Sequence, residues 1–199
     1  MKSINTVPTL ASLLLAATVG LSLPAQAESA AAGKYKIDPV HSSVVFSMAH
    51  LGLSQFGNGR FNTLEGDFNL NSKGKSDVSV TIQTASVDTN HQKRDEHLRS
   101  PDFLNSKQFP IMRFVSRKVS YDAGGEPVSI EGDLELHGVT KPATFLVKVV
   151  GAGKDPWGGY RSGYTATSVI KRSDFGMKFG LPDIGDNISV TMQIEAIKQ

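Results

Sequence analysis

From Tyr35 to the C-terminus, apolar and polar residues alternate one by one in run after run. Val78, Val80 and Ile82 are separated by Ser79 and Thr81, and Ile188, Val190, Met192 and Ile194 by Ser189, Thr191 and Gln193. A period of two puts successive side chains on opposite faces of a strand, so each run predicts a β-strand with one buried face. Val44, Phe46 and Met48 form another such face, as do Phe145, Val147 and Val149. Val128, Ile130, Leu134 and Leu136 read as a further face opposite Ser129, Glu131, Asp133 and Glu135. Phe61, Phe68 and Leu70 read as one strand, with Gly66 inside it predicting a bulge or sharp bend. Tyr35-Lys36-Ile37, Ile111 to Tyr121 and Tyr160 to Lys171 complete about eight substantial strands. Between them lie turn signals at Asn71 to Ser76, Asp122 to Gly125 and Gly138 to Pro142. Gly52 to Gly59 reads as a long turn, Gly151 to Gly159 as a loop, and Arg172 to Asp186 as a longer one.

Strands joined mainly by short turns form an antiparallel meander. A closed barrel and a sandwich both deal with its edges, and long strands broken by glycines favour the barrel. The expected class is therefore all-β, an antiparallel eight-stranded barrel. Its one exception is the segment 88–104, which crowds charges and His91 and His97 into a stretch without alternation. That stretch predicts a short helical insert around 91–105, with Pro101 and Pro110 limiting its length. It either covers one barrel end or simply links two strands.

The first 27 residues stand apart. Lys2 is their only charge, Leu10 to Leu23 is apolar, and Ala25-Gln26-Ala27 fits a signal-peptidase site. A transmembrane anchor is the alternative, but the run is shorter than the ~20 residues a span needs. The expected division is 1–27 signal peptide and 28–199 a single domain, exported to the periplasm, with no integral membrane segment in the mature chain. Export permits disulfides, yet the chain has no cysteine, so a β core must supply its stability. Without Lys2 there remain 20 basic and 19 acidic residues, a balance that argues against a nucleic-acid partner.

Several pieces of the chain read together as a set. They are Ile37-Asp38-Pro39-Val40-His41-Ser42, Phe46 through His50-Leu51-Gly52, Gly59-Arg60-Phe61 and Asp88-Thr89. Arg94 to Ser100 through Asp102-Phe103 follows, then Phe109-Pro110 with Phe114, Gly132-Asp133-Leu134, Leu136 to Thr140, and Arg172 to Gly176. In content and order these pieces resemble the YceI-like family of lipocalin-like polyisoprenoid-binding proteins, across nearly the whole mature chain. The resemblance implies a lipocalin-like barrel holding a long lipid. The expected function is binding, storage or transport of an isoprenoid, such as a polyprenyl phosphate or a quinone, with no cofactor required. An isoprenoid- or quinone-directed enzyme and a stress-protective structural barrel are the alternatives; the expectation is a protein without catalysis. Self-association as a homodimer is compatible with the sequence.

The candidate ligand-facing residues are Phe46, Met48, Phe61, Phe68, Val80, Ile82, Phe114, Leu134, Phe145, Tyr164, Met192 and Ile194. The same pattern also describes an ordinary packed core. Arg94 and His97 are further candidates, since a guanidinium at Arg94 or Arg99 suits a phosphate or quinone oxygen. The competing and favoured reading is architectural: Asp95 accepting backbone N–H groups, Arg94 paired to another carboxylate, and Arg172 and Asp174 locking the last loop. His91 and His97 are six apart, fitting neither a helix nor a strand pair, and HExxH is absent, so no metal site is expected. No Gly-x-Ser-x-Gly elbow is present either, and no catalytic residue is assigned.

Overall fold

The computed structural model describes residues 30–199, except for the side chains of 56–58. The expected signal at 1–27 lies outside the described residues. Eleven strands occur among them: β1 (Gly33–Ile37), β2 (Ser43–His50), β3 (Ser54–Phe61), β4 (Leu64–Leu70), β5 (Asp77–Gln83), β6 (Val87–Asp88), β7 (Ile111–Tyr121), β8 (Pro127–Leu136), β9 (Val139–Lys154), β10 (Tyr160–Lys171) and β11 (Ile184–Lys198). A single α-helix, α1 (Gln92–Leu98), interrupts them. No helix among the described residues is long and apolar enough to cross a membrane.

The eleven strands make eight antiparallel staves in a closed ring. One edge of β11 pairs with β10 and the other with two strands laid end to end, β2 against Ile184–Gln193 and β1 against residues 196–198. In the same way β3 and β4 follow one another along β2 and β1, and β6 and β5 along β3 and β4. The first three staves are thus each bent at a corner, and the corners bond to their neighbours. Asp38 N–H donates to Glu195 O (2.9 Å), Asn62 N–H to Ser86 O (3.1 Å) and Gln83 N–H to Thr63 O (3.1 Å). Buried backbone groups at each break in the ladder therefore keep partners.

Arg161 on β10 fastens the first corner. Its Nη1 lies 2.6 Å from both Asp38 Oδ2 and Glu195 Oε1, and its Nε lies 3.1 Å from Asp155 Oδ2 in the β9–β10 turn. His41 Nδ1 adds a contact to Asp38 at 2.9 Å. Asp38, His41 and Glu195 converge as metal ligands would; the cation among them here is the Arg161 guanidinium.

The structure redraws four boundaries. Gly52 to Gly59 is not a turn: only 51–53 turn the chain, and β3 begins at Ser54. Gly57-Asn58-Gly59 sits instead at a bulge, where Phe46 faces Gly59, Ser47 faces Gly57 and Asn58 is extra. Gly66 holds regular register opposite Val80, so it marks no bulge. It permits close approach, since a Cβ there would fall 2.4 Å from Ser79 O. Val128 is the unpaired residue of a β7–β8 irregularity, which turns it outward to 40% exposure while Pro127 is buried. Finally, β9 runs on to Lys154, leaving 155–159 as the loop beyond it.

Two predictions follow from this packing. At Gly132 a Cβ would lie 2.3 Å from Val115 O and 2.6 Å from the Phe114 ring, whereas at Gly153 it meets nothing within 4 Å. Gly132→Ala should destabilise by about 1–3 kcal/mol and Gly153→Ala should be close to neutral, read by chemical denaturation. Hydrogen bonding from Arg161, then from His41, holds the Asp38 carboxyl well below the usual carboxylate range. A depressed folded-state pKa stabilises above the unfolded value near 3.9 and is lost as pH falls through and below it. Between pH 6 and pH 3 the wild type should therefore lose more stability than Asp38→Asn, in thermal melts at each pH.

Candidate functional site

The inward-facing residues do not fill the ring. A cavity of about 170 Å³ runs through the barrel. One water needs only ~10–15 Å³, so the interior is hollow. All eleven strands contribute to its wall. At the end nearer α1 it reaches Leu98, Phe103 and Met177; at the opposite end, where the β4–β5, β7–β8 and β9–β10 turns lie, it reaches Leu70, Pro127 and Tyr164. Apart from Arg113, Tyr164 and Arg172, the lining side chains are apolar.

All twelve aliphatic and aromatic candidates named from the sequence line this cavity: Phe46, Met48, Phe61, Phe68, Val80, Ile82, Phe114, Leu134, Phe145, Tyr164, Met192 and Ile194. Each sits on a strand whose alternate residues turn inward, and each except Ile194 is less than a tenth exposed. Their rings brace one another. Phe46 and Phe61 lie 5.4 Å apart, Phe114 and Phe145 5.0 Å in an edge-on contact, and Phe68 bridges Tyr35 (5.1 Å) and Tyr164 (5.5 Å). The sequence reading missed Leu98, Phe103, Leu104 and Met177. These come from α1, the turns after it and the last long loop, where no alternation marks an inward face.

The charged segment covers the α1 end of the barrel. His91 caps α1, its Nδ1 accepting from Arg94 N–H at 3.3 Å. Buried Asp95 reaches back to accept Thr89 N–H (2.8 Å) and Thr89 Oγ1–H (2.5 Å). Arg94 Nε and Nη2 donate to Thr89 Oγ1 and Thr89 O, both at 2.8 Å. Arg99 ties the helix to the barrel through Ala85 O (2.8 Å) and Val87 O (2.7 Å). His97 Nε2 lies 2.8 Å from Asp102 Oδ2, and its ring stands edge-on to Phe103 and Phe179. Arg94 and His97 do not line the main cavity. They border a second recess, which shares Phe46, Met48, Leu98 and Phe103 with it.

Arg172 locks the last loop and is 1% exposed. Its guanidinium donates to four carbonyls: Gly185 (2.9 Å), Met177 (2.8 Å), Phe179 (2.9 Å) and Ile184 (2.8 Å). Burial lowers its pKa, and the Asp186 charge works against that shift. Asp174, expected to share this task, is exposed. Asp186 takes its place, accepting Ser173 N–H and Ser173 Oγ–H at 2.8 Å each. The sequence reading counted Asp186 as the far edge of the loop and assigned it no role.

Replacing Arg172 with Met would leave those carbonyls buried without donors, at a cost of about 1–3 kcal/mol for each one that stays dry. Arg172→Met should lose at least ~3 kcal/mol and open 172–185 to hydrogen exchange, while Asp174→Asn should change neither.

Comparison with known proteins agrees with this architecture. Residues 35–196 match the YceI-like domain family. A UPF0312 protein of Shewanella denitrificans is 46% identical over 190 residues, covering 94% of this chain and 98% of that one. A UPF0312 protein of Pseudomonas aeruginosa is 44% identical over 177 residues, covering 87% and 91%. Among solved structures, a Campylobacter jejuni YCEI protein superposes with a TM-score of 0.67 at 28% identity, over 75% of this chain and 89% of that one. A polyisoprenoid binding domain from Saccharophagus degradans gives a TM-score of 0.64 at 16% identity, over 83% and 98%. The chain belongs to the YceI-like domain family.

Proposed function

We propose that this YceI-like protein binds a long-chain isoprenoid lipid, a polyprenyl phosphate or a quinone, inside its barrel, and stores or carries it in the periplasm. The observation that carries this reading is the hollow interior, walled almost wholly by apolar side chains and reached by every strand. Burial of a CH₂ group contributes about 0.8 kcal/mol, so each five-carbon isoprenoid unit contributes roughly 3–4 kcal/mol. A few units outweigh association and ordering costs of several kcal/mol. An apolar tube therefore suffices for tight binding without a charged clamp. The solved relative from Saccharophagus degradans, described as a polyisoprenoid binding domain, has the same fold. A head group emerging at the α1 end would meet Arg94 and His97 in the adjoining recess. The apolar run Leu10 to Leu23 and the Ala25-Gln26-Ala27 site support export.

Native mass spectrometry of protein purified from its own periplasm, followed by solvent extraction, should recover an isoprenoid lipid. Persistent ligand-free protein that takes up no prenyl lipid would count against the reading. Ala166 lines the cavity, so Ala166→Phe should fill the tube and weaken prenyl-lipid binding by at least about tenfold. In a solid core the same change would cost about 1–3 kcal/mol; here the melting temperature should stay unchanged or rise.

A further inference from the structure

Large exposed apolar side chains gather on two neighbouring loops at the α1 end of the barrel. Leu51 and Leu53 stand on the β2–β3 turn, Phe179 and Leu181 on the loop 176–183. Leu53 is 84% exposed. Backbone bonds tie the two loops into one face. Leu51 N–H donates to Asp183 O at 2.6 Å, and Arg172 Nη2 donates to both Phe179 O (2.9 Å) and Ile184 O (2.8 Å). This face is continuous with the interior. Phe179 stands edge-on to Phe103 at 5.4 Å, and Phe103 lines both the recess and the main cavity. His50, which precedes the Leu51 turn, and Ile184, its partner across the ladder, also line the recess. An oily path thus leads from the outer surface through the recess into the tube.

The opposite end has a different character. Its turns are charged, with Lys73 and Lys75 between β4 and β5, Asp122 and Glu126 between β7 and β8, and Asp155 between β9 and β10. Trp157, exposed there, lies under the Arg161 guanidinium at 5.3 Å. At the α1 end, residues 51–55 carry no charge, and Lys178 and Asp183 contribute one of each sign. Exposed Lys93 and Glu96 on α1 again contribute one of each. A clustered apolar face of this kind marks an interaction surface.

We propose that the protein docks on a phospholipid bilayer through Leu51, Leu53, Phe179 and Leu181, so that its lipid passes between bilayer and tube without crossing water. This deepens the isoprenoid-binding reading and rests on it for the cargo; docking itself needs no cargo. The balanced charge fits a zwitterionic surface, because taking the face out of water leaves no excess of either sign. Side chains projecting singly from loops suit a fluid hydrocarbon layer, which closes around each of them. The cargo belongs to the same phase, and an apolar path continuous with the tube keeps its chain out of water during transfer.

Trp157 is the lone tryptophan and lies at the opposite end, so a tryptophan can be moved to the face. Trp157→Phe/Leu53→Trp is titrated with phosphatidylcholine vesicles free of isoprenoid, beside the wild type. Emission from the double variant should shift to the blue, and wild-type emission should not move. Leu51→Asn/Leu53→Ser changes two exposed turn residues outside the cavity wall. It should partition onto the same vesicles at least about tenfold less than the wild type, in co-sedimentation, with its melting temperature unchanged. A blue shift at Trp157 with none at position 53, or equal partition of the two proteins, overturns the docking face. Wild-type self-association in place of vesicle binding, abolished by Leu51→Asn/Leu53→Ser, assigns the face to a second copy and overturns it too. Binding of a C20 isoprenoid alcohol, read without vesicles by displacement of a fluorescent dye, tests the cargo separately. Alcohol binding without docking overturns the face alone; docking without alcohol binding overturns the cargo reading and the transfer role built on it.

Discussion

The pairing of β1 with β11 turns a sheet into a vessel. Without that seam and the β2–β11 pairing that continues it, the eight staves would form an open sheet, its inner face needing a second layer to cover it. With them, the inner face covers itself, and geometry then sets how much room remains. Eight staves enclose a space at the margin between a packed core and a small ligand chamber. Rings braced edge to edge, Phe114 on Phe145 and Phe68 on Tyr164, line this wall without closing the middle. The Arg161 network holds the first corner against β10 and β11 beside the seam.

The polar chemistry of the chain serves mainly to build this enclosure. Arg172 and Arg99 donate to backbone carbonyls, Asp95 and Asp186 accept from backbone N–H groups, and Arg161 gathers three carboxylates. Each satisfies a group that a loop or corner would otherwise leave unpaired. Side chains that look like catalytic or head-group material in the linear sequence thus also serve as joinery. Arg94 and His97 hold the α1 segment together and also border the recess beside it.

The strands were legible because a period of two leaves little choice of face, and the wall of the cavity was legible with them. Val80 and Ile82 could only point inward together. The reading failed where a single extra residue breaks the period. Asn58 and Val128 are such residues, and a bulge resets the alternation without any distinctive residue type to announce it. Loop contributions failed for a different reason. Met177 reaches the cavity because Arg172 folds its loop inward, a long-range arrangement that no local pattern encodes. Hollowness itself was not legible, since a filled barrel and an empty one have the same alternation.

The seam joins residues 35–37 to 196–198, and Gln199 N–H adds a bond to Lys34 O at 2.9 Å. The staves up to β10 can pair with one another before β11 exists; this seam, like the other pairings of β11, waits for residues 184–198. Contacts so distant in sequence carry the largest loop-closure entropy, which places the molecule among slow folders. Until then a half-made chain displays an oily concave face and two unsatisfied edges, the features that invite aggregation. Residues 196–199 thus act as a latch, and anything attached after them sits at the joint on which the container shuts.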